Sequence, residues 1–193
     1  MTDLKELVLR NRSYRRFNES RSVSRETLVG LVDLARCTAS AANRQPLKYI
    51  LSADSETNAR IFSCLAWAAY LKDWKGPGPG ERPAAYIVIL VDEKISKDWW
   101  CDDGIAAQTI LLGAVEQGLA GCMLGSIRKE KLRSELDIPD HLMIRLVLAL
   151  GEPAESVVLE DIEPEGDIRY WRDEKGVHHV PKRKLEELII KDF

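Results

Sequence analysis

The chain has little of what usually betrays a function. Its four cysteines, Cys37, Cys64, Cys101 and Cys122, form no CxxC or CxxH pair, which excludes a zinc knuckle and a thioredoxin-like redox motif. His178-His179 stands alone, without an HExxH or a carboxylate–histidine cluster, so no metal is expected. There is no GxSxG elbow, no GK[ST] phosphate loop and no GxGxxG turn after a strand. Excess charge of one sign is also lacking: 28 Lys and Arg against 31 Asp and Glu leave a formal charge of -3. That balance argues against nucleic acid or an anionic membrane as partner. The longest apolar stretch, 104–120, is interrupted by Gln108, Glu116 and Gln117, so no membrane span is expected. Residues 1–16 lack the apolar core of a signal peptide, and with cysteines this sparse the expected compartment is the cytoplasm.

What is present suits one domain of ordinary size. The 193 residues are 45% hydrophobic, which supports a substantial core and excludes global disorder. Thr2 is the expected cap of a helix to about Arg10, and Ser24 of a second helix to about Thr38 with Leu28, Leu31, Val32 and Ala35 at helical spacing. Leu47–Leu51 reads as a strand after Pro46, and Asp54 or Ser55 opens a helix expected to reach about Tyr70. The run 76–80, GPGPG, is a surface loop, and Ala85–Val91 is a continuous apolar strand. Asp102 and Asp103 favour the positive end of a long apolar helix that ends near Gly118. A short helix over Arg128–Leu136 and a strand over Met143–Leu150 complete a core of about residues 1–150. Residues 151–181 show no sustained period and read as an arm anchored by Tyr170 and Trp171, with Lys182-Arg183 opening a terminal helix.

Three segments carry possible chemistry. Arg12, Ser13 and Arg15 combine two guanidinium forks with a hydroxyl, a set suited to a phosphate or an electron-rich pyrimidine edge, and equally found on solvated surface. Ser40-Ala41-Ala42-Asn43-Arg44-Gln45-Pro46 lets a flat ligand approach backbone while Asn43 and Gln45 offer donors and acceptors; it also reads as a plain helix-to-strand connection. Gly118–Ser126 reads as a helix C-cap followed by a short buried strand, leaving open whether peptide N–H groups near Gly125 and Ser126 face a ligand. Cys122, among apolar neighbours, reads as a buried thiol. Lacking an acid–base or metal set, an enzyme built this way would rely on a bound redox cofactor.

Together these segments resemble the nitroreductase family of flavin mononucleotide (FMN) enzymes. The similarity rests on Asn11-Arg12-Ser13-Tyr14-Arg15-Arg16-Phe17, on Ala39–Pro46, on Asp103-Gly104-Ile105-Ala106-Ala107-Gln108, on Gly118–Ser126 and on Lys182-Arg183-Lys184-Leu185. Asn11 stands where many relatives have Arg, and Leu47 where an aromatic often follows the proline. The resemblance implies an α+β fold with a central, mostly antiparallel sheet flanked by helices. It also implies a homodimer in which residues 151–193 form a C-terminal arm exchanged with the partner subunit. The implied activity is hydride transfer from NADH or NADPH through FMN, by a ping-pong cycle, to a small acceptor such as a nitroaromatic or quinone. By the same resemblance, Arg12, Ser13, Lys182 and Arg183 would hold phosphate or ribityl oxygens, and Arg15 would face the flavin N1/O2 edge. Ser40, Asn43 and Gln45 would engage ring or ribityl chain, and Met123, Leu124, Gly125 and Ser126 would lie beside N5 and O4, with no side-chain nucleophile. Flavin fragmentation, dehydrogenation of a metabolite, or a non-catalytic interaction role on the same scaffold are the alternatives.

Overall fold

Strand β2 (Ala85–Asp92) is buried along nearly its whole length, as a run without polar alternation requires. It pairs antiparallel with β1 (Leu47–Ser52) on one side and with β4 (Leu142–Gly151) on the other. β3 (Ala120–Leu124) closes the sheet in the order β1-β2-β4-β3, with every pairing antiparallel. The α+β class is thus the one found. The computed structural model describes residues 3–193.

One face of the sheet is covered by α2 (Arg25–Arg36) and α4 (Asp102–Glu116), which pack Leu28, Leu31, Ala107 and Ile110 against Ile87, Ile89 and Leu148. Complete burial of Leu28 and Leu31 contributes about 1.5–3 kcal/mol each. The two helices approach closely because Gly113 has no side chain: a Cβ there would sit 2.7 Å from Leu34 Cδ1. Ser24 caps α2 as expected, accepting the Thr27 N–H at 3.1 Å. On the opposite face, Tyr86 and Val88 are buried, and α3 (Ser55–Phe62) attaches there through Asn58, whose Nδ2 donates to the Ala84 carbonyl. The short α5 (Lys129–Glu135) follows β3 and buries Leu132.

Three expectations about element ends need correction. The first helix, α1 (Leu4–Arg10), is capped by Asp3, which accepts from the Lys5 N–H; Thr2 lies outside the described residues. α3 stops at Phe62 instead of Tyr70, because the chain turns at Ser63 and becomes extended. There Leu65 bridges Ile127, the Ala66 N–H donates to the Ser126 carbonyl and the Arg128 N–H to that of Cys64, so tertiary pairing prevails over helical periodicity. Lys182-Arg183 does not open the terminal helix but ends a strand; the helix, α6 (Leu185–Leu188), is capped by Lys184 with Glu187.

Residues up to Trp67 together with Gly76–Ala154 form one unit, and Ala68–Lys75 with Glu155–Phe193 a second. In the second unit, β7 (His178–Arg183) lies between β5 (Val157–Ile162), parallel to it, and the two-residue β6 (Trp171–Arg172), antiparallel. Strand β7 contains Pro181, and β6 pairs only with His178 and His179, so the absent proline N–H leaves no ladder bond unmade on that side. Tyr70 packs on Tyr170 with centroids 4.9 Å apart, and Arg172 lies over Trp74 while pairing with Glu155 at 2.7 Å.

His179 stacks on Trp171 at 4.0 Å and is held by Glu160, with Asp173 on its other nitrogen at 3.6 Å. The hydrogen bond that the ring donates to Glu160 raises its pKa above 6.5, with Asp173 adding to the effect. A raised His contributes stability that is complete below its unfolded pKa and is lost as pH climbs through the folded one. Proton NMR should accordingly find His179 titrating above 6.5, and Glu160→Gln should bring it down. No group of His, Cys, Asp and Glu able to hold a metal occurs among the described residues, and none of their helices is long and apolar enough to cross a membrane.

Candidate functional site

The basic turn after α1 is fastened to the sheet by its backbone. Ser13 bridges Gly121 of β3, the Tyr14 N–H donates to the Gly121 carbonyl at 3.0 Å, and the Phe17 N–H donates to Glu81. Phe17 is fully buried and bridges Pro153, so both ends of the turn are pinned. This places Arg12, Ser13 and Arg15 next to the strand that leads to Met123, Leu124, Gly125 and Ser126. Two segments more than a hundred residues apart in the chain thereby form one neighbourhood.

Within it, Arg12 donates from Nη2 to the Val8 carbonyl at 2.6 Å. Its Nε is buried with no hydrogen-bond partner among the described residues, and burial lowers the pKa of the guanidinium. A cation placed this way is complemented by an anion carrying several acceptor oxygens. Arg15 is buried and donates to the Ser13 carbonyl at 3.1 Å, which orients its fork across the turn. Leu124 is buried, Met123 half-buried, and Gly125 and Ser126 are exposed where β3 ends. Cys122 is buried, as its apolar neighbours indicate.

The 39–45 loop is anchored elsewhere, at the start of α4. Asp102 is almost completely buried and accepts from the Ser40 hydroxyl at 2.6 Å and from the Ala41 N–H at 3.0 Å. The Ser40 oxygen in turn accepts from the Gln45 N–H at 2.9 Å. Ser40 therefore fixes the loop from within, while Asn43 and Gln45 stand exposed, Gln45 Nε2 donating to Asn43 Oδ1. Ala42, Asn43 and Gln45 all have φ between 51° and 53°, a conformation costly for residues with a Cβ. Asp102, Ser40, Gln45, Leu47 and Tyr49 share the wall of a cavity of about 170 Å³. Burial, followed by the charge of Asp102, pushes the Tyr49 phenol up to about 12.

Asp102 is the residue that sequence reasoning missed. Its partners lie 61 and 62 positions away, and the pair Asp102-Asp103 gave only the signal of a helix start. Asp103 is engaged as well, by Arg145 at 2.9 Å. Arg145 is the extra residue of a bulge where the β2–β4 register passes from Ile89↔Leu146 to Leu90↔Ile144, and its guanidinium also covers Trp99. Bulge, Asp103, Asp102 and loop thus form one chain of contacts. Asp102→Asn removes the charge from two charge-assisted bonds, and should destabilise the fold by about 1–3 kcal/mol. Hydrogen exchange should show the Ala41 and Gln45 amides opening more readily than in the parent.

Lys182 and Arg183 belong to the second unit, at the end of β7; Lys182 is exposed and Arg183 pairs with Glu187 at 3.4 Å. Trp74 lies under Arg172, and Trp99 lies under Arg145.

Comparison with known proteins gives one answer. A profile of the nitroreductase family matches residues 8–152. A protein of Methanothermobacter thermautotrophicus, provisionally named NADH dehydrogenase/NAD(P)H nitroreductase, is 31% identical over 166 residues, 83% of this chain and 82% of its own. Among solved structures, a nitroreductase family protein from Streptococcus pneumoniae TIGR4 aligns with a TM-score of 0.70 at 16% identity, over 98% of this chain and 100% of that one. An FMN-dependent nitroreductase from Clostridium difficile R20291 aligns with a TM-score of 0.65 at 22% identity, over 79% and 89%.

Proposed function

Because the chain belongs to the nitroreductase family and is an enzyme of it, we propose that it binds FMN and uses NADH or NADPH to reduce a small acceptor such as a quinone or nitroaromatic. Use of FMN and NAD(P)H is a feature of that family. The observation that most supports the reading is Arg12, a half-buried cation with an unpartnered Nε on a turn bonded to β3. The residues present fit the cofactor: guanidinium groups for a phosphate, amides for a ring with alternating donors and acceptors, and exposed backbone at Gly125-Ser126.

In this reading Arg12 and Ser13, with Lys182 and Arg183, hold phosphate and ribityl oxygens. Asn43 and Gln45 engage the ring or ribityl chain, in a loop that Ser40 and Asp102 keep in shape. Arg15 would stabilise negative charge at the N1/O2 edge, and peptide groups near Gly125 and Ser126 would serve N5 and O4. The chemistry supplied by bound FMN is hydride transfer, taken from a nicotinamide and delivered to the acceptor in a second half-reaction. No side chain is needed as nucleophile; the protein's work is to bind, orient and stabilise charge.

We further propose a homodimer in which residues 151–193 pack on the partner subunit. Leu4, Leu9, Val29 and Leu34 on α1 and α2, and Leu188 and Ile190 near the C-terminus, are large apolar side chains left exposed on a single chain. Apolar surface of this kind suits an obligate interface. All four cysteines are free thiols, which accords with a reducing cytoplasm. Purified protein should be yellow and release FMN on denaturation, with sedimentation at twice the chain mass; a colourless protein that reconstitution with FMN leaves colourless would overturn the proposal.

A further inference from the structure

A cavity of about 180 Å³ lies on the sheet face opposite α2 and α4, between β2 and α3, and none of the residues assigned above to FMN lines it. Its wall includes Glu19, Ser55, Asn58, Phe62, Arg82 and Tyr86, the rest being mostly alanine and proline. Tyr86 has no exposed surface and its hydroxyl no hydrogen-bond partner among the described residues; Arg82 Nε is likewise buried and without one among them. Both are donors. Burial raises the Tyr86 phenol well above its usual range, so it keeps its proton at any ordinary pH. Arg82 is fixed in place by stacking over Phe62 at 4.6 Å.

The remaining polar groups narrow the choice of ligand. Asn58 donates to the Ala84 carbonyl and accepts from the Ser52 hydroxyl, which fixes its amide as part of the wall. Glu19 and Ser55 are exposed and mark the open side, where Glu19 accepts from the Gly80 N–H. A carboxylate at that side disfavours a multiply charged guest such as phosphate. Two buried donors, one of them cationic, match the two oxygens of a single carboxylate, and the apolar remainder matches a short hydrocarbon tail.

We propose that this cavity is a second ligand site, for a small carboxylate whose oxygens are received by Arg82 and Tyr86. The probe is butyrate, added to the FMN-loaded protein, and the reporter is the Arg82 Nε–H resonance of arginine-labelled protein, assigned by its disappearance in Arg82→Lys. A saturable shift at millimolar butyrate is expected, with the affinity about tenfold weaker in Tyr86→Phe, since one hydrogen bond is lost. Three results would each overturn the proposal: no shift, the same shift with chloride, or equal affinity in Tyr86→Phe. Should Tyr86→Phe fail to fold, Arg82→Gln serves as the second variant, read by magnetisation transfer to the butyrate methyl protons. Loss of transfer would support the site, and undiminished transfer would overturn it.

Discussion

Replacing Arg12 with alanine is expected to weaken FMN binding by about 2–3 kcal/mol, a loss of about 30- to 150-fold in affinity. The size follows from the position of the guanidinium. It is half-buried, donates to the Val8 carbonyl and pairs with no carboxylate among the described residues, so a phosphate would meet a charge already placed and partly desolvated. Arg21→Ala is the control. That side chain is two-thirds exposed and already pairs with Glu152 at 2.9 Å, a surface pair of small worth. Fluorescence titration of the two variants separates a specific anion site from general positive charge: equal FMN affinities for both would remove Arg12 from the proposed site.

An equally large effect is expected at a residue with no side chain. Gly121 carries the bridge to Ser13, and a Cβ there would lie 2.4 Å from Leu111 Cδ2, 2.8 Å from the Ala149 carbonyl and 2.9 Å from Leu150 Cδ2. The leucine tips can rotate away, but the carbonyl belongs to the neighbouring strand and cannot. Gly121→Ala should therefore cost at least about 1–3 kcal/mol, seen as a lower urea midpoint with an unchanged slope. It should also loosen FMN, because the basic turn hangs on the same strand. Gly125→Ala is the contrast: a methyl group there would meet nothing within 4 Å and the φ is not positive, so stability should hardly change.

What could be read from the sequence was mostly local. Val88 and its neighbours in β2 form an unbroken apolar run, and Ser24 followed by Leu28 and Leu31 announces α2 in the residues themselves. The end of α3 could not be read, because Leu65 to Ala68 keep an apolar character that suits a helix while Ile127 and Ser126 draw that stretch into extended pairing. The strands β5 and β7 escaped notice for a different reason. Charged residues such as Glu160 and Lys182 occupy them, Pro181 interrupts one, and their parallel pairing across some twenty residues leaves no turn signal. Among the candidate site residues, Arg12, Ser13, Asn43 and Gln45 were marked by composition and order. The groups that set their shape, Asp102 beneath Ser40 and Gly121 beside Ser13, act across distances in sequence that periodicity does not register.

The central claim is that this chain positions FMN to pass electrons from a nicotinamide to a small acceptor. The most direct measurement is anaerobic absorbance of the purified yellow protein during sequential additions. Adding NADH or NADPH should bleach the flavin band, and a quinone or nitroaromatic added afterwards should restore it. Under the proposed ping-pong cycle, steady-state rates at varied concentrations of both substrates should then give parallel double-reciprocal lines. Bound FMN that neither nucleotide reduces, or intersecting lines accompanied by a ternary complex, would contradict the account.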